Sequence, residues 1–127
     1  MPPTARVLEI ASGSGQHAIY FQAALAATNG SNIMIIAACV VELRLPSVRS
    51  LKEKRGQVRS LLTRLRKQFN LAVSETGYND VWQSAQITIV AVSNEKSAVE
   101  KVLRRAVLWT EKHRPDLDVV AAEIQWL

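Results

Sequence analysis

The chain has 127 residues, 48% of them apolar and 21% charged, enough for one domain with a real core and far from disordered composition. A formal charge of +5 favours acidic partners. The single cysteine, Cys39, excludes an intrachain disulfide framework and points to a reducing compartment, and the longest apolar run, 33–41, is about half of what spans a bilayer.

Taken in chain order, residues 1–29 and 30–127 differ in character and separate at Thr28-Asn29-Gly30-Ser31-Asn32, a cluster of small polar turn formers. The opening Met1-Pro2-Pro3-Thr4-Ala5-Arg6 has no basic stretch followed by an apolar one. No secretory signal is therefore expected, and the chain reads as cytoplasmic. Residues 6–10 read as a short strand, 11–15 as a glycine turn and 16–27 as a helix. A lone strand-turn-helix cannot bury its own apolar face. Ile19, Tyr20, Phe21 and Leu25 are thus expected to dock, to self-associate or to stay poorly ordered.

Residues 33–45 read as a long strand, with Leu43 and Leu45 facing one way and Glu42 and Arg44 the other. Pro46 ends it, having no amide for a sheet ladder. Cys39, inside the run, reads as a small buried hydrophobe. Ser50 and Glu53 form a capping box, in which each side chain takes an orphan amide at the helix start. The spacing that follows predicts a helix burying Leu51, Val58, Leu62, Leu65 and Phe69 on one stripe. Gly56 within it costs about 1 kcal/mol relative to alanine.

Residues 70–75 read as a second strand, Gly77-Tyr78-Asn79-Asp80 as a turn and 82–92 as a third strand. Ser93-Asn94 is expected to cap a second helix that buries Val99, Val102, Leu103, Ala106 and Trp109, with Glu100 and Arg104 as an i, i+4 pair and Pro115 as its stop. Residues 119–127 close the chain as a strand, with Val120, Ala122, Ile124 and Trp126 on one side. The order β-α-β-β-α-β predicts an α+β, ferredoxin-like sandwich: two helices on one face of a four-stranded antiparallel sheet, the other face open, preceded by the N-terminal appendage.

Charge is concentrated in the first helix of this pattern. Between Arg44 and Lys67 lie nine Lys or Arg against a single acid, Glu53, while the rest of the chain sums to −3. Lys52, Arg55, Arg59 and Arg66 fall within roughly 60° of one another at about 100° per residue. Phosphate contacts need only positioned cations, so such a stripe suits sequence-independent binding of a nucleic-acid backbone; the plain alternative is a solvated helix flank. Trp82 reads as packing material rather than a base-stacking platform, and strand 82–92 has no aromatic pattern of an RNA-recognition motif.

Two families are resembled. Glu42-Leu43-Arg44-Leu45-Pro46, Arg49-Ser50-Leu51-Lys52-Glu53-Lys54-Arg55, Arg64-Leu65-Arg66 with Phe69-Asn70, and Asp80-Val81-Trp82-Gln83 resemble the YlxP-like bacterial domain of unknown function over about residues 34–127. That resemblance implies a small ferredoxin-like protein with no catalytic residues established. Its genes often stand near those for translation initiation and ribosome-binding factor A, which implies a role around the ribosome. The usual Asp-Leu-Trp-Gln-Arg becomes Asp80-Val81-Trp82-Gln83-Ser84 here, with one cation fewer.

Arg6-Val7-Leu8-Glu9-Ile10-Ala11-Ser12-Gly13-Ser14-Gly15-Gln16-His17 resembles the first motif of an S-adenosylmethionine-dependent methyltransferase, which implies Glu9, Gly13 and Gly15 as cofactor-contacting positions. The second-strand acid that would hold the ribose is missing from 33–39, and the chain is too short for the remaining βα units. No Walker lysine, nucleophile elbow or His/Cys metal spacing is present. The expectation is a binding protein without catalytic residues or cofactor, its partner ribosomal RNA or a ribosome-associated protein, with no membrane role. The alternatives are a homodimerisation module using the open sheet face, and S-adenosylmethionine binding by residues 6–25.

Overall fold

The computed structural model describes residues 33–127. The appendage expected over residues 1–29 lies outside the described residues. The elements are β1 (Ile35–Arg44), α1 (Leu51–Gln68), β2 (Ala72–Gly77), β3 (Ser84–Ser93), α2 (Lys96–His113) and β4 (Asp118–Trp126). The sheet is antiparallel throughout, in the order β2-β3-β1-β4. This is the expected β-α-β-β-α-β arrangement, an α+β fold of ferredoxin-like type.

Period-two alternation builds one face of the sheet: Ala37, Cys39, Val41 and Leu43 of β1 and Ala85, Ile87, Ile89 and Ala91 of β3 are buried. They share one core with Val58, Leu61 and Leu65 of α1 and Val99, Leu103 and Ala106 of α2, so both helices cover that face. The other face presents Val40, Glu42, Gln86 and Thr88, none fully buried, a mixed polar and apolar surface.

The buried stripe of α1 differs from the expected one. Ser50 caps the helix as anticipated, its Oγ accepting the Glu53 amide at 3.1 Å. The fully buried positions are Lys54, Val58, Leu61 and Leu65, while Leu51, Leu62 and Phe69 are only half-buried. Lys54, Leu61 and Leu65 keep helical spacing with Val58, and the stripe shifts because Lys54 finds partners inside.

A bulge corrects the expected pattern of β4. Glu42 pairs with Ala121 but Leu43 with Val119, so Val120 is the extra residue. Val119 packs against the core with Ile124, whereas Val120 is 59% exposed and does not share a buried side with Ile124. In α2 the Ser93-Asn94 cap is not formed: Glu95 is the cap residue and makes no side-chain cap bond, while Ser93 Oγ accepts the Glu95 amide in the preceding turn. Val102 and Trp109 are half-buried, and Thr110 takes the last core position, its hydroxyl donating to the Ala106 carbonyl at 2.9 Å.

Arg114, buried after α2, ties the two helices together. Its Nε and Nη2 lie 3.0 and 2.9 Å from the two Asp116 oxygens, and Nη2 also reaches Gln57 Oε1 of α1 at 2.6 Å. Hydrogen bonding from this guanidinium holds the Asp116 carboxyl below the usual carboxylate range, against a smaller opposing effect of burial. A depressed folded-state pKa means that the stabilisation is complete above the unfolded value and is lost as pH falls through the folded one. Asp116 is substantially exposed, so the contribution is small. Asp116→Asn is expected to flatten the acid limb of stability below about pH 4 and leave it parallel to wild type above, read from urea midpoints across that range.

Candidate functional site

The cations of α1 sort by what they touch. Lys52, Arg55 and Arg59 are exposed on one flank and, among the described residues, none forms an ion pair. Arg66 continues that flank, exposed, with Nη2 donating to the Val73 carbonyl of edge strand β2 at 3.0 Å. It thereby satisfies an edge carbonyl that would otherwise invite pairing. Arg64 points elsewhere, over the Trp109 ring of α2 at 5.2 Å, where Trp109 also meets Phe69 edge-on and stacks on His113.

Lys54 is the residue sequence reasoning missed. Its side chain is 0% exposed, with Nζ donating to the Tyr78 carbonyl at 2.7 Å and 2.8 Å from Glu75 Oε2. The contact with Glu75 lies off the hydrogen-bond line and is held by charge. A lysine four residues before Val58 and seven before Leu61 continues the apolar stripe, which was the available signal.

This buried ammonium organises the connection between β2 and β3. Tyr78 is left-handed, with φ 59°, a conformation uncommon outside glycine. Its carbonyl is held by Lys54, its hydroxyl donates to Glu42 Oε1 at 3.1 Å on the open sheet face, and its carbonyl also accepts the Val81 amide. The bond to Glu42, with its charge, pushes the Tyr78 hydroxyl above its ordinary pKa. At the far end, Gln83 Nε2 donates to the Pro46 and Val48 carbonyls, each at 3.3 Å, and the Leu45 amide donates to the Gln83 carbonyl at 3.0 Å.

Trp82, read above as packing material, is 45% exposed. It lines an open depression of about 420 Å³ with Arg44, Pro46, Val81, Gln83 and Ser84. Counted in twos, Trp82 falls in line with Ser84, Gln86 and Thr88 on the open-face side of β3, not with the buried Ala85, Ile87, Ile89 and Ala91.

A second concavity, of about 300 Å³, runs between α2 and β4 and is lined by Cys39, Leu103, Arg104, Val107, Leu108, Ala122 and Ile124. Cys39 is buried at its floor, and burial raises its thiol pKa despite the charge of Arg104. A protonated, enclosed thiol is a poor nucleophile. Iodoacetamide is therefore expected to label Cys39 slowly in the native protein and rapidly in urea, followed by mass spectrometry. Among the described residues no cluster of three or more His, Cys, Asp or Glu is placed to hold a metal ion, and no helix is long and apolar enough to cross a membrane. Glu9, Gly13 and Gly15 lie outside the described residues.

Comparison with known proteins adds the family. Residues 36–124 match the family described as "Protein of unknown function (DUF503)". The chain belongs to this family. It is also 36% identical over 77 residues to the "Uncharacterized protein YlxP" of Bacillus subtilis (strain 168), covering 61% of this chain and 83% of that protein. Among solved structures it is similar to the de novo designed protein Foldit4, at TM-score 0.43 and 11% identity, over 74% of this chain and 96% of that one. It is similar as well to a C-terminal segment of the alpha subunit of aIF2 from Pyrococcus abyssi, at TM-score 0.44 and 12% identity, over 93% of this chain and 63% of that one. Neither likeness is close enough to bear on function. The DUF503 match runs from β1 into β4 and includes the α1 flank, the Lys54 anchor and the Trp82 loop.

Proposed function

We propose that this DUF503 protein is a non-enzymatic binding protein whose α1 flank holds the phosphate backbone of RNA, with ribosomal RNA as the favoured partner. The observation that supports this is the single flank of Lys52, Arg55, Arg59 and Arg66, exposed and, among the described residues, without a carboxylate partner. Cations left unpaired on one helix face attract a polyanion and release its counterions on binding. Such contacts position the backbone and read no sequence. The test is a pull-down from lysate with and without nuclease, coupled to a salt titration of the bound RNA. Nuclease-sensitive partners and an affinity that falls steeply with ionic strength are expected; partners indifferent to nuclease and salt would overturn the proposal.

One observation favours a second reading. Val120 of edge strand β4 is 59% exposed and lines a depression with Glu42, Arg44, Tyr78 and Ser84 on the open sheet face, a surface suited to a second copy of the chain. On this reading the interface is the open sheet face at its β4 side. Sedimentation would show a dimer whose dissociation barely changes with salt.

A further inference from the structure

The connection from Tyr78 to Gln83 combines two properties that rarely coincide without use. It is tied at both ends: Lys54 on the Tyr78 carbonyl, Tyr78 Oη on Glu42, Gln83 on both Pro46 and Val48, and the Leu45 amide on Gln83. Yet its large side chains stand in solvent, Trp82 and Val81 together with Tyr78 at 46% exposure. A mobile loop exposes an aromatic in many positions, whereas a loop tied to its surroundings by five hydrogen bonds presents it in few.

We infer that Trp82, with Arg44 in the same open depression, is a stacking site for one unpaired base of a single-stranded RNA whose phosphates lie on α1. Three observations carry this choice of occupant. Trp82, 45% exposed, lines an open depression of about 420 Å³, larger than a single base. Arg44, exposed in its wall, supplies a planar cation that stacks on or hydrogen-bonds to a base edge or its phosphate. Only a few residues of chain separate the depression from the basic flank: Gln83 holds the Val48 carbonyl, Arg49 follows, and α1 starts with Leu51 and Lys52. Opposing charges are present, Asp80 in the loop and Asp118 paired across from Arg44 on β4. They make this a place for a base rather than a trough for several phosphates, the phosphates being left to Lys52, Arg55, Arg59 and Arg66.

The inference rests on the phosphate-binding reading of α1, and the experiment separates the two. Fluorescence anisotropy of the full chain would use fluorescein-labelled 12-nucleotide oligo(U) and oligo(A) RNA, oligo(dA), and a blunt 12-base-pair RNA duplex. Trp82→Ala is expected to weaken both single-stranded RNAs about tenfold, in line with the loss of one base stack, while duplex affinity and salt slope stay at wild-type values. Trp82→Phe should recover most of the loss, and Arg44→Ala should weaken single strands but not duplex. Equal losses on oligo(dA) and oligo(A) would place the base, not the 2′-hydroxyl, in the site. If Trp82→Ala binds every single strand as wild type while Arg59→Glu binds weakly, the stacking site is wrong and the α1 reading survives. If wild type binds neither single strand nor duplex, both fall. Loss of a nuclease-resistant protein partner by Trp82→Ala, with RNA affinity unchanged, would replace the inference by protein docking. Because Trp82 is outside the core, an unchanged thermal melt verifies that each variant is folded.

Discussion

Lys54→Met is expected to lower the stability of the domain by about 3 kcal/mol, the largest single-site effect apart from truncating its apolar core. The ammonium is wholly buried and meets two acceptors, the Glu75 carboxylate and the Tyr78 carbonyl. Methionine fills nearly the same volume, so the change isolates charge and hydrogen bonding from packing. What remains behind is an unpaired carboxylate only 19% exposed and a Tyr78 carbonyl that keeps only the Val81 amide. Breaking a buried pair from one side costs more than the pair itself contributes, because the surviving charge is stranded. For a domain of this size the melting temperature falls by roughly 10 °C or more. Lys54→Met/Glu75→Leu removes both charges and is expected to recover part of the loss, so a double-mutant cycle from urea unfolding measures the coupling. A Lys54→Met variant within about 0.5 kcal/mol of wild type would show that the ammonium is dispensable to the fold.

Lys52→Glu/Arg59→Glu is expected to weaken RNA binding by about one to two orders of magnitude near 0.1 M salt. Four phosphate contacts on a single strand correspond to a slope of about −3 in log affinity against log salt, and losing two of them brings it near −1.5. The informative control carries the same change of net charge elsewhere: Lys101→Glu/Arg105→Glu lies on exposed positions of α2. If binding follows the position of charge, only the α1 variant loses affinity; equal losses from both would mean that net charge alone attracts the polyanion. Neither α1 residue touches the core, so unfolding midpoints should stay within about 0.5 kcal/mol of wild type.

Local patterning was sufficient for the architecture. Alternation in β1 and β3, the helical spacing of Val58 with Leu65 and of Val99, Leu103 and Ala106, and the stops at Pro46 and Pro115 are written within one or two turns of chain. Each such signal reports its own neighbours, and the order of six of them leaves few topologies open. The cationic flank of α1 was legible for the same reason, since charge and angular position both belong to a single helix.

Tertiary structure alone decided three matters. Lys54 resembles any other cation of its helix until β2 brings Glu75 and the Tyr78 carbonyl within 2.8 Å of it. Trp82 is aligned in twos with the open-face residues of β3, and only a fold that leaves that side uncovered by either helix lets its ring meet water. Val120 has the right spacing for the buried side of β4, but the bulge against Glu42 and Leu43 inserts Val119 there instead. In all three the deciding partner is distant along the chain or depends on a one-residue shift of register. Burial of a charge, exposure of an indole and the facing of a strand residue are set by such pairings, to which local periodicity is blind.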